Sequence, residues 1–191
     1  MATQGRAPSR RLPPGSHGIP AEVVARNQRE RLVAAMAEVC AEETYAEVSV
    51  AAVAKRAGVS SVTFYKQFGG KRDCMLAAHR QLLGRLLEEV DRVRGKSEPA
   101  EQARVAIGAA LALFAADPPS ARLLTVEILA AGPEGVNRHN AMVEAFAERL
   151  ATDWVRAAGI LALVGKLVVA GEAERLTGLE DELVATVSSQ S

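Results

Sequence analysis

Aromatic residues are scarce in this chain. Phe, Tyr and Trp make up 4% of its 191 residues, which leaves little material for aromatic-rich strands. Cysteine is scarcer still. Cys40 and Cys74 stand far apart, with no CxxC spacing and no His/Cys cluster. No metal site is therefore expected, and both thiols read as small buried apolar groups. No run approaches the ~18 apolar residues needed to span a bilayer, and the N-terminus lacks the apolar core of a signal peptide. The expectation is a cytoplasmic protein without membrane association. GxSxG, HExxH and a phosphate-cradling glycine loop are all missing. His17, His79 and His139 lie apart in sequence, none with an evident acid or nucleophile beside it. Catalytic residues and cofactors are expected to be none, leaving a helical enzyme as the one catalytic alternative.

Net charge is also missing: 23 Lys/Arg balance 23 Asp/Glu. That zero conceals an asymmetry. Residues 1–85 carry 13 Lys/Arg against 7 Asp/Glu, and residues 86–191 carry 10 against 16. A basic first half joined to an acidic second half points to anion binding at one end and another task at the other.

What the chain does have is helix-forming material. Hydrophobic residues make up 49%, with alanine, leucine and valine dominant, and alanine and leucine are strong helix formers. Residues 1–20, "MATQGRAPSRRLPPGSHGIP", show no helical period and read as a flexible basic arm. Arg6, Arg10 and Arg11 are its groove-reaching candidates. From Ala21 the pattern is helical throughout. Leu32, Met36, Val39 and Cys40 mark one face of a first helix. Ser49 caps a second through Ala57, Gly58 supplies a left-handed stop, and Ser60 caps a short third. After Gly69-Gly70 a long helix starts near Lys71.

The second half repeats the style. Ile107, Leu111 and Phe114 mark a helix ending near Asp117. Asp117-Pro118 restarts one that runs to Gly132-Pro133. Val143, Phe146, Leu150 and Trp154 predict the next, "ILALVGKLVVA" a shorter one, and "TGLE" (Thr177 to Glu180) a capping box before the last. The fold class is all-α, with about nine helices. Three parts are expected: the arm (1–20), a helix-turn-helix domain (21–70) and a helical ligand-binding and dimerisation domain (71–191).

Helix, glycine turn and short helix form the arrangement that puts a second helix into the DNA major groove. Val59, Phe64 and Phe68 are placed to anchor the short helix. Its other face offers Ser61, Val62, Tyr65 and Lys66, with Thr63 at the edge. Hydroxyls there suit phosphates and base edges, Val62 suits a thymine methyl, and Lys66 supplies charge. Lys71, at the start of the next helix, is placed to grip a phosphate together with free backbone N–H groups.

The string "SVAAVAKRAGVSSVTFYKQFGGK" (49–71) closely resembles "TVxxIAxxAGVSxxTFYxxFxxK", the signature of TetR-type (tetracycline-repressor-like) transcriptional regulators. The resemblance covers roughly residues 19–80. It implies a DNA-binding N-terminal domain of three helices, followed by helices that form a ligand pocket and a dimer interface. It places Ser60, Ser61, Val62, Thr63 and Tyr65 at the groove with Lys66 nearby, gives Lys71 a phosphate, and makes Phe64 and Phe68 anchors. The implied protein is a homodimeric regulator, most often a repressor, on double-stranded operator DNA, with a small-molecule effector. An architectural or protein-interaction role without an inducer is the alternative. Two departures are visible: Thr44 stands where the family usually has glycine, and the penultimate helix is short. For the ligand, Glu127, His139 and Trp154 are the candidates. Against this, Glu127 can pair with an arginine such as Arg104 or Arg149, His139 can lie at the surface, and Trp154 and Phe146 can belong to the core.

Overall fold

The computed structural model describes Gly18, residues 20–95, Glu98 and residues 101–188. The basic arm with Arg6, Arg10 and Arg11 lies outside the described residues. Those described contain nine α-helices and no strand: α1 (Ala21–Glu42), α2 (Val50–Ala57), α3 (Ser61–Gln67), α4 (Lys71–Arg94), α5 (Gln102–Ala116), α6 (Pro118–Thr125), α7 (Pro133–Arg149), α8 (Trp154–Val169) and α9 (Glu180–Ser188). The chain divides into two compact units, with the division inside α4 between Ala78 and His79. No helix among the described residues is long and apolar enough to cross a membrane.

In the first unit Leu32, Met36, Val39 and Cys40 of α1 are buried together with Val53, Phe64, Phe68, Cys74 and Met75. Both cysteines are buried, and the Cys74 thiol donates to the Leu32 carbonyl at 3.8 Å. After α1, Thr44 donates from both its N–H (3.0 Å) and its hydroxyl (2.8 Å) to the Glu47 carboxylate. A side-chain-locked turn thus stands at the departure noted in the sequence, where Thr44 replaces the usual glycine.

In the second unit Leu86 and Val90 of α4 pack with Ile107, Leu111 and Phe114 of α5, Phe146 of α7 and Val164 of α8. The Phe114 and Phe146 rings are stacked with centroids 6.3 Å apart. Asp117 caps α6 by accepting from the Ser120 N–H at 3.1 Å, with proline in the first turn.

Three predicted boundaries shift. The helix from Pro118 stops at Thr125 rather than Gly132, and a 3-10 turn covers Glu127–Ala131. Thr125 turns its hydroxyl onto the Ala121 carbonyl at 2.8 Å, a back-bond that disfavours straight continuation, and Val126 leaves helical geometry. Gly135 of α7 then packs against that turn, where a methyl group would collide with the Ile128 carbonyl oxygen. Secondly, Trp154 does not extend α7. Asp153 accepts from the Arg156 N–H at 3.0 Å and caps a new helix, so α8 has 16 residues and starts before "ILALVGKLVVA". Thirdly, Thr177 caps nothing. It sits in a 3-10 segment, Ala173–Leu179, with its hydroxyl toward the Glu174 carbonyl.

Candidate nucleic-acid interface

The two helices of the motif are set by local chemistry. The Ser49 hydroxyl accepts from the Ala52 N–H at 3.1 Å and starts α2. Gly58 ends it at φ 63°, its N–H bonding to the Lys55 carbonyl while the Val59 N–H bonds to that of Ala54, each at 3.0 Å. This paired closure needs a left-handed residue, which favours glycine. The Ser60 hydroxyl accepts from the Thr63 N–H at 3.1 Å, and the two hydroxyls stand 3.0 Å apart.

The faces of α3 separate cleanly. Phe64 and Phe68 are buried, their ring centroids 5.6 Å apart. Ser61, Val62, Tyr65 and Lys66 are exposed, Val62 by 67% and Tyr65 by 60%. The Tyr65 ring meets that of Phe64 edge-on at 5.6 Å and 82°, which steadies it without covering it. Ser60 is exposed and Thr63 lies at the edge, but their hydroxyls engage each other.

Lys71, expected at a phosphate, meets main-chain oxygen in this structure. Its ammonium donates to the carbonyls of Tyr45, Ala46 and Val48, each at 3.0 Å, and stands 4.8 Å from the Tyr45 ring centroid. An ammonium has three donors, and all three are engaged by the loop between α1 and α2. The Asp73 carboxylate, which accepts from the Gly69 N–H at 3.0 Å, adds negative charge at the start of α4. In this structure the Lys71 ammonium is therefore an internal brace on that loop.

Two further braces were not anticipated from sequence. Arg29 of α1 lies 4.2 Å from the Phe68 ring centroid and donates to the Gln67 carbonyl at 2.7 Å, at the end of α3. Arg31 donates to the Ala57 and Gly58 carbonyls at the end of α2, the second at 2.9 Å. Both place a cation where a helix end is negative. The available signal was "RNQRER", cations set beside the apolar stripe of α1, but their partners are more than 25 residues away in sequence. These acceptors are neutral carbonyls, so the contacts themselves do not cancel the charges of Arg29, Arg31 and Lys71. Arg56 is different: it pairs with Glu38 and Glu42, and the guanidinium holds the Glu42 carboxyl below its usual range. Lys55, Lys66 and Arg72 are exposed and make no ion pair among the described residues.

The three ligand candidates of the second unit occupy three kinds of place. Glu127 is buried and accepts from Arg122 at 2.9 Å, so its partner is neither Arg104 nor Arg149. Arg104 instead pairs with Glu180 and Asp181, and Arg149 with Asp91. His139 is half-buried, and burial lowers its pKa. Trp154 is 46% exposed at the start of α8, outside the core that holds Phe146. None of the three lines the groove of about 420 Å³ between α4 and α7.

Residues 32–78 match the family described as "Bacterial regulatory proteins, tetR family". The chain is 28% identical over 88 residues to the fatty acid metabolism regulator protein of Bacillus subtilis (strain 168), a stretch covering 46% of this chain and 45% of that protein. It is 37% identical over 82 residues to the HTH-type transcriptional regulator BetI of Stenotrophomonas maltophilia (strain R551-3), covering 42% of each. The chain thus matches less than half the length of these curated relatives. In three dimensions it resembles the transcriptional regulator FadR from Bacillus subtilis, solved in complex with stearoyl-CoA. The TM-score is 0.69 at 20% identity, covering 84% of this chain and 98% of that one. At that identity the likeness concerns the fold. The helix-turn-helix, its caps and its outward α3 face all fall in or beside the stretch, residues 32–78, that matches the tetR family of bacterial regulatory proteins.

Proposed function

We propose that the protein is a DNA-binding transcriptional regulator, a homodimeric repressor on a palindromic operator from which a small-molecule ligand releases it. The outward face of α3 carries this reading. A seven-residue helix buries Phe64 completely yet leaves Val62 and Tyr65 largely in water. In a major groove, Val62 lies against a thymine methyl, while Ser61 and Tyr65 donate to base edges or phosphates. Lys66, with Lys55 and Arg72, supplies the charge that displaces counterions. Ser60 and Thr63 hold the first turn in shape. No catalytic step is assigned to the chain.

For the dimer, α8 supports an interface between two copies. Val155, Gly159, Ala162 and Val169 recur at helical spacing on its exposed side, with Lys166 in the same stripe and Trp154 beside them. For the effector, the stearoyl-CoA held by the structurally similar FadR supports a ligand bearing an apolar chain.

Selection of bound DNA from a random pool tests the reading. The expected product is a palindrome with half-sites spaced by ~34 Å or a multiple. On that operator, Tyr65→Ala should lower affinity at least tenfold, within the ~1–3 kcal/mol of a base-reading contact, without altering the dimer. A pool that shows no enrichment, or a Tyr65→Ala protein with full affinity, refutes it.

A further inference from the structure

The groove between α4 and α7 combines three features that helix packing alone does not require. His79 at one end is only 1% exposed, and its Nε2 has no hydrogen-bond partner. Leaving a buried polar atom unsatisfied is destabilising. Burial, with Arg138 and His139 nearby, drives the pKa of this imidazole down to about 4. At neutral pH the ring is uncharged, and its free nitrogen is available to a partner entering the groove.

Gly84 is the second feature. It lies inside α4, where glycine is less favourable than alanine. Its φ is not positive, and a Cβ built on it would meet no protein atom within 4 Å. Neither backbone geometry nor a crowding neighbour demands glycine here. What its missing side chain provides is room along a wall that Leu83 and Leu87 also line.

The third feature is the charge at the rim. Arg138 gives its Nε to the Glu134 carboxylate at 3.1 Å, and no other partner of its guanidinium is recorded among the described residues. Arg80 makes no ion pair among them. Two arginines against one carboxylate leave the rim a net positive charge beside an apolar wall.

We infer that this groove binds an amphiphilic monocarboxylate. The chain of the ligand lies along Leu83, Gly84, Leu87 and Ala141. Its carboxylate meets the Arg138 guanidinium and the His79 Nε2–H. The volume suits a small-molecule site, typically ~300–1,000 Å³. From His79 to Leu87 the helix rises about 12 Å, close to the length of a saturated chain of about ten carbons. The inference deepens the ligand-responsive reading above and rests on it for its regulatory meaning, though not for binding itself.

Calorimetric titration of the full chain with decanoate, decanol and decanoyl-CoA tests it. Decanoate should bind saturably and at least tenfold more tightly than decanol. Arg138→Met should abolish that preference while leaving decanol binding unchanged. Gly84→Leu should lower decanoate affinity at least tenfold without lowering Tm, because leucine favours the helix while filling the groove. Gly84→Ala, a smaller filling, covers the case in which the leucine variant fails to fold. Equal binding of decanol, binding of decanoyl-CoA alone, or undiminished decanoate affinity in the Gly84 variants overturns the assignment. A separate operator-release assay keeps the two readings apart. Decanoate that binds without releasing DNA removes the effector role and leaves the site. DNA binding without decanoate binding removes the site and leaves the regulator.

Discussion

Replacing Lys71 with methionine keeps an unbranched stem of similar length and deletes only the ammonium. In the folded first unit that ammonium serves the carbonyls of Tyr45, Ala46 and Val48 at 3.0 Å and covers the Tyr45 ring. A hydrogen bond from a charged donor contributes about 1.5–3 kcal/mol net, and an exposed cation over a ring about 0.5–1 kcal/mol. Ala46 is exposed, so its carbonyl can turn to water and recover part of the loss. A destabilisation of about 2–4 kcal/mol follows. The two cysteines supply the assay. Both lie in the first unit and are fully buried, and burial pushes the Cys74 thiol up to about 12, which leaves the native thiol inert. Labelling by excess disulfide reagent therefore reports opening of this unit. It should run about 30- to 700-fold faster in Lys71→Met than in wild type. Lys66→Met, which removes an exposed cation from the same unit, should leave the rate unchanged. A wild-type labelling rate in Lys71→Met would refute the brace. If operator affinity and the salt slope of binding then both fell, the slope by about one, Lys71 would return to a phosphate.

Two further predictions concern the second unit. Arg122→Met should destabilise by up to about 3 kcal/mol in urea unfolding, because it removes the ion pair made by the buried Glu127 carboxylate. The double variant with Glu127→Leu should recover most of that loss, and additive losses would mean that the pair is not coupled. Stability should also fall on acidification. The His79 pKa lies near 4 against an ordinary 6.5, so between those values the unfolded chain takes up a proton that the folded one refuses. Folding stability therefore rises with pH through this window, by at most about 3 kcal/mol for this group. Half-buried His139, also lowered, acts in the same direction. Unfolding midpoints from pH 4.5 to 7 should show the slope, and His79→Leu should flatten it; equal slopes would exclude His79 as its source.

Whatever depends on a few adjacent residues was legible in advance. Ser49, Gly58, Ser60 and Asp117 do what their side chains and backbones do in any chain, and the alternation that buries Phe64 while exposing Tyr65 follows from helical spacing. Boundaries differ where a local competitor intervenes: the Thr125 back-bond and the Asp153 cap, both spelled out in the sequence. The cations were the harder case. Arg29, Arg31 and Lys71 were legible as charges, but a charge in sequence does not reveal whether a phosphate or a folded-back carbonyl will meet it. Their acceptors lie 23 to 38 residues away. The Arg122 partner of Glu127 was near in sequence, yet the helix break between them removed the spacing by which such pairs are recognised. The groove beside His79 is invisible without both of its walls.

The grips of Arg29 and Arg31 share one property: each takes hold of main-chain oxygen. A carbonyl is the same whatever side chain stands beside it. The clamp on α2 and α3 is therefore blind to the letters written on the outward face at Ser61, Val62, Tyr65 and Lys66. That surface can be rewritten for a new operator while its mounting stays in place, so scaffold and script are held by separate hands.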